Sequence, residues 1–186
     1  MKLLLERWNS FLNEQRYSIP HSTIVASVNR ALQILGLSSN TNLRNFLIEI
    51  AIMESGGNPK GISKITHHVQ NPFQITGPAI SVIQNLNVKK LDVLRDRIYK
   101  NAKMAQPWHK QSEQEIKSNV TMGALAAALL IIHKMNPRGV ENLKNPALDA
   151  VIPGNLKSRA ALWKTIYNTA QDPHGTPEIY IKKNSL

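Results

Sequence analysis

Leu43-Arg44-Asn45-Phe46-Leu47-Ile48-Glu49-Ile50-Ala51-Ile52-Met53-Glu54-Ser55-Gly56-Gly57-Asn58-Pro59 is the stretch on which the reading of this chain turns. At helical spacing Leu43, Leu47, Ile50 and Glu54 fall on one stripe, separated by four, three and four residues. The stripe is otherwise apolar, so a helix here buries it and carries Glu54 toward the core. Glu49 lies about 140° around the same helix and can face water. Gly56-Gly57 stops the helix just beyond Glu54. Apolar surroundings disfavour the ionised form of a carboxyl, and the negative end of the helix dipole acts in the same direction. Both predict a raised pKa, which a carboxylic acid needs to donate a proton near neutral pH, so Glu54 is a candidate general acid. The competing reading is structural: an exposed helix-end residue, or a partner for a buried Lys or Arg.

Composition narrows the classes around that acid. The 186 residues suit one domain with a real core, and ten prolines and nine glycines are spread without a low-complexity segment or repeat. The chain has no cysteine, which excludes disulfides, thiolate metal sites and cysteine nucleophiles. Twenty-three Lys and Arg against twelve Asp and Glu give a formal charge of +11. Such a field favours an anionic partner: nucleic acid, an acidic lipid surface or an anionic cell-wall polymer. No basic run exceeds two residues, so the charge belongs to a folded surface rather than a tail. Leu3-Leu4-Leu5 is followed at once by Glu6 and Arg7, too short an apolar run for a secretory signal. The most apolar stretch, residues 120–132, is 13 residues long and suits a buried core helix better than a membrane span.

The remaining pattern is overwhelmingly helical. Residues 1–15 read as an amphipathic helix with Leu4, Leu5, Trp8, Phe11 and Leu12 on one side, expected to pack back on a body formed by residues 16–186. Pro20 opens a helix over 21–35, closed by Gly36. Asn40 or Thr41 caps the helix that ends at Glu54. Over 55–76 Gly, Pro, Asn, Ser and His accumulate, which predicts a loop or a few short strands. Helical signals return over 78–86 and 90–104, at Ser112 with Glu115 (a capping box), over 119–135, and over 156–170. In the last of these Ala160, Leu162, Trp163, Ile166 and Tyr167 are the expected buried face.

Glu54-Ser55-Gly56-Gly57-Asn58-Pro59, followed by Pro72-Phe73-Gln74-Ile75, resembles the signature of lytic transglycosylases and goose-type lysozymes. In that family a Glu-Ser pair ends the catalytic helix and a Gly-Leu-Met-Gln-like turn follows. Asn119-Val120-Thr121-Met122-Gly123 before an apolar helix looks like the family's central buried helix, and Tyr167-Asn168 looks like its Tyr-Asn motif. Tyr180 matches a later tyrosine of the pattern. The resemblance covers roughly residues 43–183. Phe73 replaces the methionine-like position, and Thr169-Ala170 replaces the Ala-Gly that follows Tyr-Asn. The tail over 163–180 is similar to versions in phage lysozyme-like proteins, and residues 1–14 resemble leaders on marine phage proteins.

The resemblance implies a mainly α, lysozyme-like single domain with a central buried helix and a loop or minor strand region after the catalytic helix. It implies cleavage of peptidoglycan glycan strands between N-acetylmuramic acid and N-acetylglucosamine, with no cofactor. Glu54 would be the single acid and base: it protonates the glycosidic oxygen, the substrate's N-acetyl group supports the oxocarbenium-like centre, and Glu54 then takes the 6-hydroxyl proton to leave a 1,6-anhydro sugar. Ser55, Phe73, Gln74, Tyr167 and Asn168 are the implied substrate-binding residues. Taken alone, Gln74 also reads as a turn residue, Phe73 as core, and Tyr167 and Trp163 as plain packing. A double-displacement lysozyme needs a second carboxylate about 5 Å from the acid. No acidic residue lies between Ser55 and Leu91, though Asp92 or Asp149 could fold in.

A phage endolysin that reaches the periplasm and wall from the host cytoplasm through a holin, or a virion-borne wall-entry protein, is the implied setting. The expected partners are peptidoglycan and an anionic wall or outer-membrane surface, with no nucleic acid, and the expected state is a monomer. Two alternatives stand beside the transglycosylase: a hydrolytic goose-type-like lysozyme, and an inactive basic module holding glycan or nucleic acid on an inherited scaffold. The second has no use for an acid buried at a cost in stability. His67-His68 are adjacent and lack a third ligand, so no metal site is expected.

Overall fold

The computed structural model describes residues 19–54, 71–135, 152–166 and 175–185. Pro20, whose φ of −57° is already helical, leads into helix α1 (His21–Leu35). Gly36 closes it at φ 70°, a left-handed conformation, and the Leu37 N–H returns to the Leu32 carbonyl at 2.8 Å. Helix α2 (Thr41–Glu54) starts from Asn40, whose buried Oδ1 accepts the Leu43 N–H at 2.9 Å. Helix α3 (Gly77–Gln84) has Pro78 in its first turn. A 3-10 turn over Lys89–Leu91 then runs into helix α4 (Asp92–Asn101). Ser112 and Glu115 form the full capping box of helix α5 (Glu113–Ser118). Asn119 Oδ1 accepts the Thr121 and Met122 N–H groups at 2.8 and 3.1 Å to start helix α6 (Val120–Met135). Asn155 does the same for Ser158 in helix α7 (Leu156–Ile166). Thr176 and Pro177 open helix α8 (Pro177–Asn184).

Every residue from 123 to 132 on α6 is buried, as its unbroken run of apolar side chains requires. Helices α1, α2, α3, α5 and α7 pack around it, and α8 closes the far side by packing on α7 and α2. The described residues thus form a mainly α single domain of eight α-helices with essentially no strand. Sixteen residues make α6 about 24 Å long, and among the described residues no helix is long and apolar enough to cross a membrane.

The helices expected over 21–35 and up to Glu54 are present with those bounds. The segment over 90–104 divides, because Leu91 and Asp92 mark a change from a 3-10 turn to an α-helix. Residues 71–76 form a turn and irregular chain without a strand. The helix α8 has no counterpart in the sequence reading, although Thr176-Pro177 is an ordinary helix-start signal. The amphipathic segment 1–15 with Trp8 and Phe11, and the His67-His68 pair, lie outside the described residues.

Candidate active site

The apolar stripe of α2 is buried as its spacing requires: Leu43, Leu47 and Ile50 are fully inaccessible. Glu54, the last residue of that helix, is half-buried at its end. Its Oε1 accepts a hydrogen bond from Trp163 Nε1 on α7 at 3.0 Å. Trp163 is itself 1% exposed, so the donor comes from inside the protein. The packing role expected of Trp163 is therefore real, and its polar edge adds a second one.

Glu49 corrects the sequence reading. Its side chain is 13% exposed, and it meets Arg159, 7% exposed, in a two-pronged ion pair. Arg159 Nη2 donates to Oε1 at 2.6 Å and Nε to Oε2 at 2.8 Å, the fork geometry that suits a carboxylate. Tyr180 Oη on α8 donates to Oε2 at 2.8 Å. Helix α2 packs on α1, α6 and α8, and Phe46 and Ala51 are buried besides Leu43, Leu47 and Ile50, so more than one of its stripes is covered. Hydrogen bonding to Glu49 raises the Arg159 pKa against the opposing effect of burial. Burial, reinforced by the Glu49 charge and hydrogen bond, pushes the Tyr180 phenol well above its ordinary 10, so it remains a donor.

The two acids of α2 are thereby linked. Tyr180 and Trp163 lie with ring centroids 5.2 Å apart at 37°. Arg159 and Trp163 are four residues apart on one face of α7, and Glu49 and Glu54 five apart on α2. Each acid meets a donor from α7, and Tyr180 bridges the two meetings.

Gln74 rests on a different support. Its φ is 47°, a left-handed conformation that costs a non-glycine residue roughly 1–2 kcal/mol. Its N–H reaches the Asn71 carbonyl at 3.3 Å, and Asn71 Oδ1 accepts the Phe73 N–H at 3.0 Å. Asn71 is fully buried against α6: a Cβ on Gly123 would lie 2.8 Å from its side chain, so only glycine permits this approach. Phe73 is fully buried with the rest of the core. Ser55, Tyr167 and Asn168 lie outside the described residues.

Arg159 and Glu49 are the residues that sequence reasoning missed. A signal for Arg159 existed, since it is one turn from Trp163 on the face that carries Ala160. Asp92, considered as a second carboxylate, sits at the start of α4 and pairs with Arg95 at 2.6 Å. Two depressions of about 410 and 540 Å³ run along α1 around Ala26 and Arg30, and neither is lined by a candidate site residue. Among the described residues no cluster of three or more His, Asp or Glu could hold a metal ion. No protein-family model matches the chain, and no curated protein or solved structure matches it.

Proposed function

We propose that this protein cleaves the glycan strands of bacterial peptidoglycan as a lytic transglycosylase, with Glu54 as its acid and base. The observation that carries the reading is the place of Glu54 at the end of a buried helix stripe, against the indole N–H of a buried tryptophan. Glu49 is tied to Arg159 and Tyr180. Asp92 pairs with Arg95, Asp96 with Lys100 and Glu113 with Lys117. Glu115 is consumed in its capping box, and Glu178 bonds Thr176 at the start of α8. Among the described residues every other carboxylate is engaged elsewhere, and this supports a one-carboxylate mechanism over double displacement, which needs two acids facing one sugar.

In the proposed reaction the Glu54 proton passes to the glycosidic oxygen as the bond to the anomeric carbon breaks. The substrate's N-acetyl oxygen supports the developing positive charge. The Glu54 carboxylate then removes the proton of the 6-hydroxyl, whose oxygen closes on the anomeric carbon to give the 1,6-anhydro product. Gln74, Ser55, Tyr167 and Asn168 are proposed to hold the sugar hydroxyl and acetamido groups. The net +11 charge supports adsorption to anionic walls. A phage lysis enzyme passing a holin, or a virion-borne wall-entry enzyme, is the proposed setting, acting as a monomer without nucleic acid.

The test is mass spectrometry of the soluble products released from purified sacculi by the native protein and by Glu54→Gln. Anhydro-muropeptides that vanish in the variant are the expected result. Reducing-end muropeptides would replace the mechanism with hydrolysis. Folded native protein that releases nothing from Gram-negative or Gram-positive walls would leave only a binding module.

A further inference from the structure

We infer that Trp163 is a positioning residue for Glu54, whose indole N–H fixes Oε1 as an acceptor and so assigns the exchangeable proton to Oε2. The inference rests on the reading of Glu54 as the acid and base. Its foundation is the 3.0 Å bond from Nε1 to Oε1, made by a ring that is 1% exposed. An indole nitrogen can only donate. In a protonated carboxyl the carbonyl oxygen is the acceptor and the hydroxyl oxygen the donor, so the oxygen facing the indole is the carbonyl. Placing the proton on Oε1 would leave the buried N–H against a hydroxyl oxygen, a poorer acceptor in a site where an unmade bond is costly. The oxygen that gives and retrieves the proton is therefore fixed by a neighbour that touches no sugar.

The indole is held in turn. Tyr180 lies against it at 5.2 Å, the Tyr180 hydroxyl is anchored on Glu49, and Glu49 is anchored on Arg159. Arg159 and Trp163 share one face of α7, so that face meets both acids although Glu49 and Glu54 leave α2 about 140° apart. The Glu49–Arg159 meeting joins opposite charges, and the Glu54–Trp163 meeting uses a neutral donor. A donor on Oε1 by itself favours the ionised carboxyl.

Other titratable groups lie on the surrounding helices. Tyr180 is held protonated by its burial and Arg159 by Glu49. Lys164 on α7, Lys134 on α6, and Lys182 and Lys183 on α8 are the basic side chains nearby on those helices. His133 on α6 is pushed below its ordinary 6.5 by burial, so a His133→Gln background removes its titration from the measurement.

The experiment follows carboxyl-labelled glutamate and indole-labelled tryptophan by NMR in the full-length protein as pH is varied, alongside kcat/KM for muropeptide release. Glu54 is assigned by its loss in Glu54→Gln and Trp163, one of three tryptophans, by its loss in Trp163→Phe. In the native protein the Trp163 indole signal is expected to move with the Glu54 titration and to stop moving in Glu54→Gln. In Trp163→Phe, which keeps an aromatic ring, the Glu54 titration and the alkaline limb of kcat/KM should both shift upward by about one pH unit. Loss of alignment should lower kcat by about ten- to a hundredfold. An indole signal indifferent to the Glu54 titration overturns the inference, and that result needs no variant to fold. So does a folded Trp163→Phe protein with an unchanged Glu54 titration. Coupled titration in a protein that releases no muropeptide leaves the indole assignment standing and removes the enzymatic reading instead.

Discussion

Arg159→Met removes the cation from the most enclosed ion pair described in this protein. Arg159 and Glu49 are 7% and 13% exposed, and two short hydrogen bonds of 2.6 and 2.8 Å join them. Hydrogen bonds to charged groups contribute about 1.5–3 kcal/mol each, so the gross loss is about 3–6 kcal/mol. Arg159 Nη1 also serves the Pro153 carbonyl at 3.1 Å, which would lose that donor. Tyr180 would remain as the partner of the stranded Glu49 carboxylate. Breaking a buried pair from one side typically costs about 3–5 kcal/mol, and that is the expected loss. For a chain of 186 residues it corresponds to about 6–20 °C in Tm.

The sharper statement concerns the pair together. Glu49→Leu alone should cost a similar 3–5 kcal/mol or so, because it leaves a buried guanidinium unpaired. Glu49→Leu with Arg159→Met exchanges both charges for apolar groups and leaves the Tyr180 hydroxyl without its acceptor, a penalty of about 1–3 kcal/mol. The double variant should therefore be more stable than either single one. Urea unfolding of the four proteins gives the coupling energy, expected at about 3 kcal/mol or more. Single losses that add to within about 0.5 kcal/mol of the double would show two independent surface residues, and the clamp beneath Trp163 would be refuted.

Two further outcomes follow from the geometry. His133 has a buried Nδ1 with no partner among the described residues, and burial together with Lys90 and Lys134 lowers its pKa below 6.5. The unfolded chain then binds more protons at His133 than the folded one, so its contribution is fully present above 6.5 and is lost as pH falls through the folded-state value; His133→Gln should flatten that part of a urea-derived stability–pH curve. Gln74→Gly relieves the left-handed backbone at φ 47° and should stabilise the fold by about 1 kcal/mol in urea unfolding while lowering muropeptide release. Undiminished release would reduce Gln74 to a turn residue.

The parts of the fold that were legible in sequence are those governed by neighbours along the chain. Pro20 and Gly36 bound α1, Asn40 starts α2, and Ser112 with Glu115 starts α5, each through contacts spanning a few residues. The uninterrupted apolar run marks α6 for the centre whatever packs on it. Glu49 was misread for the complementary reason. Its partner is 110 residues away, and helical periodicity records only that a charge is present, not whether water or a guanidinium meets it. Trp163 was legible as a core residue because burial follows from its size. Its bond to Glu54 was not, because the partner of an indole N–H 109 residues away leaves no mark in local spacing.

Those two long-range contacts bear on function more than the fold does, because they divide the labour between two chemically identical side chains. Glu49 receives a guanidinium and a phenol that stays protonated. Its charge is neutralised, and proton exchange there would break the clamp. Glu54, five residues on, receives from α7 a neutral N–H on one of its oxygens. Environments that separate two like groups in this way are how acid and base roles are assigned in sites built on carboxylates. Exchanging the environments should exchange the roles. With Trp163→Arg a cation would sit on Glu54 as Arg159 sits on Glu49, the carboxyl would stay ionised near neutral pH, and bond cleavage that depends on its proton should fall by about two orders of magnitude or more. A Trp163→Arg protein that folds and keeps native muropeptide release would show that Glu54 does not act as the acid.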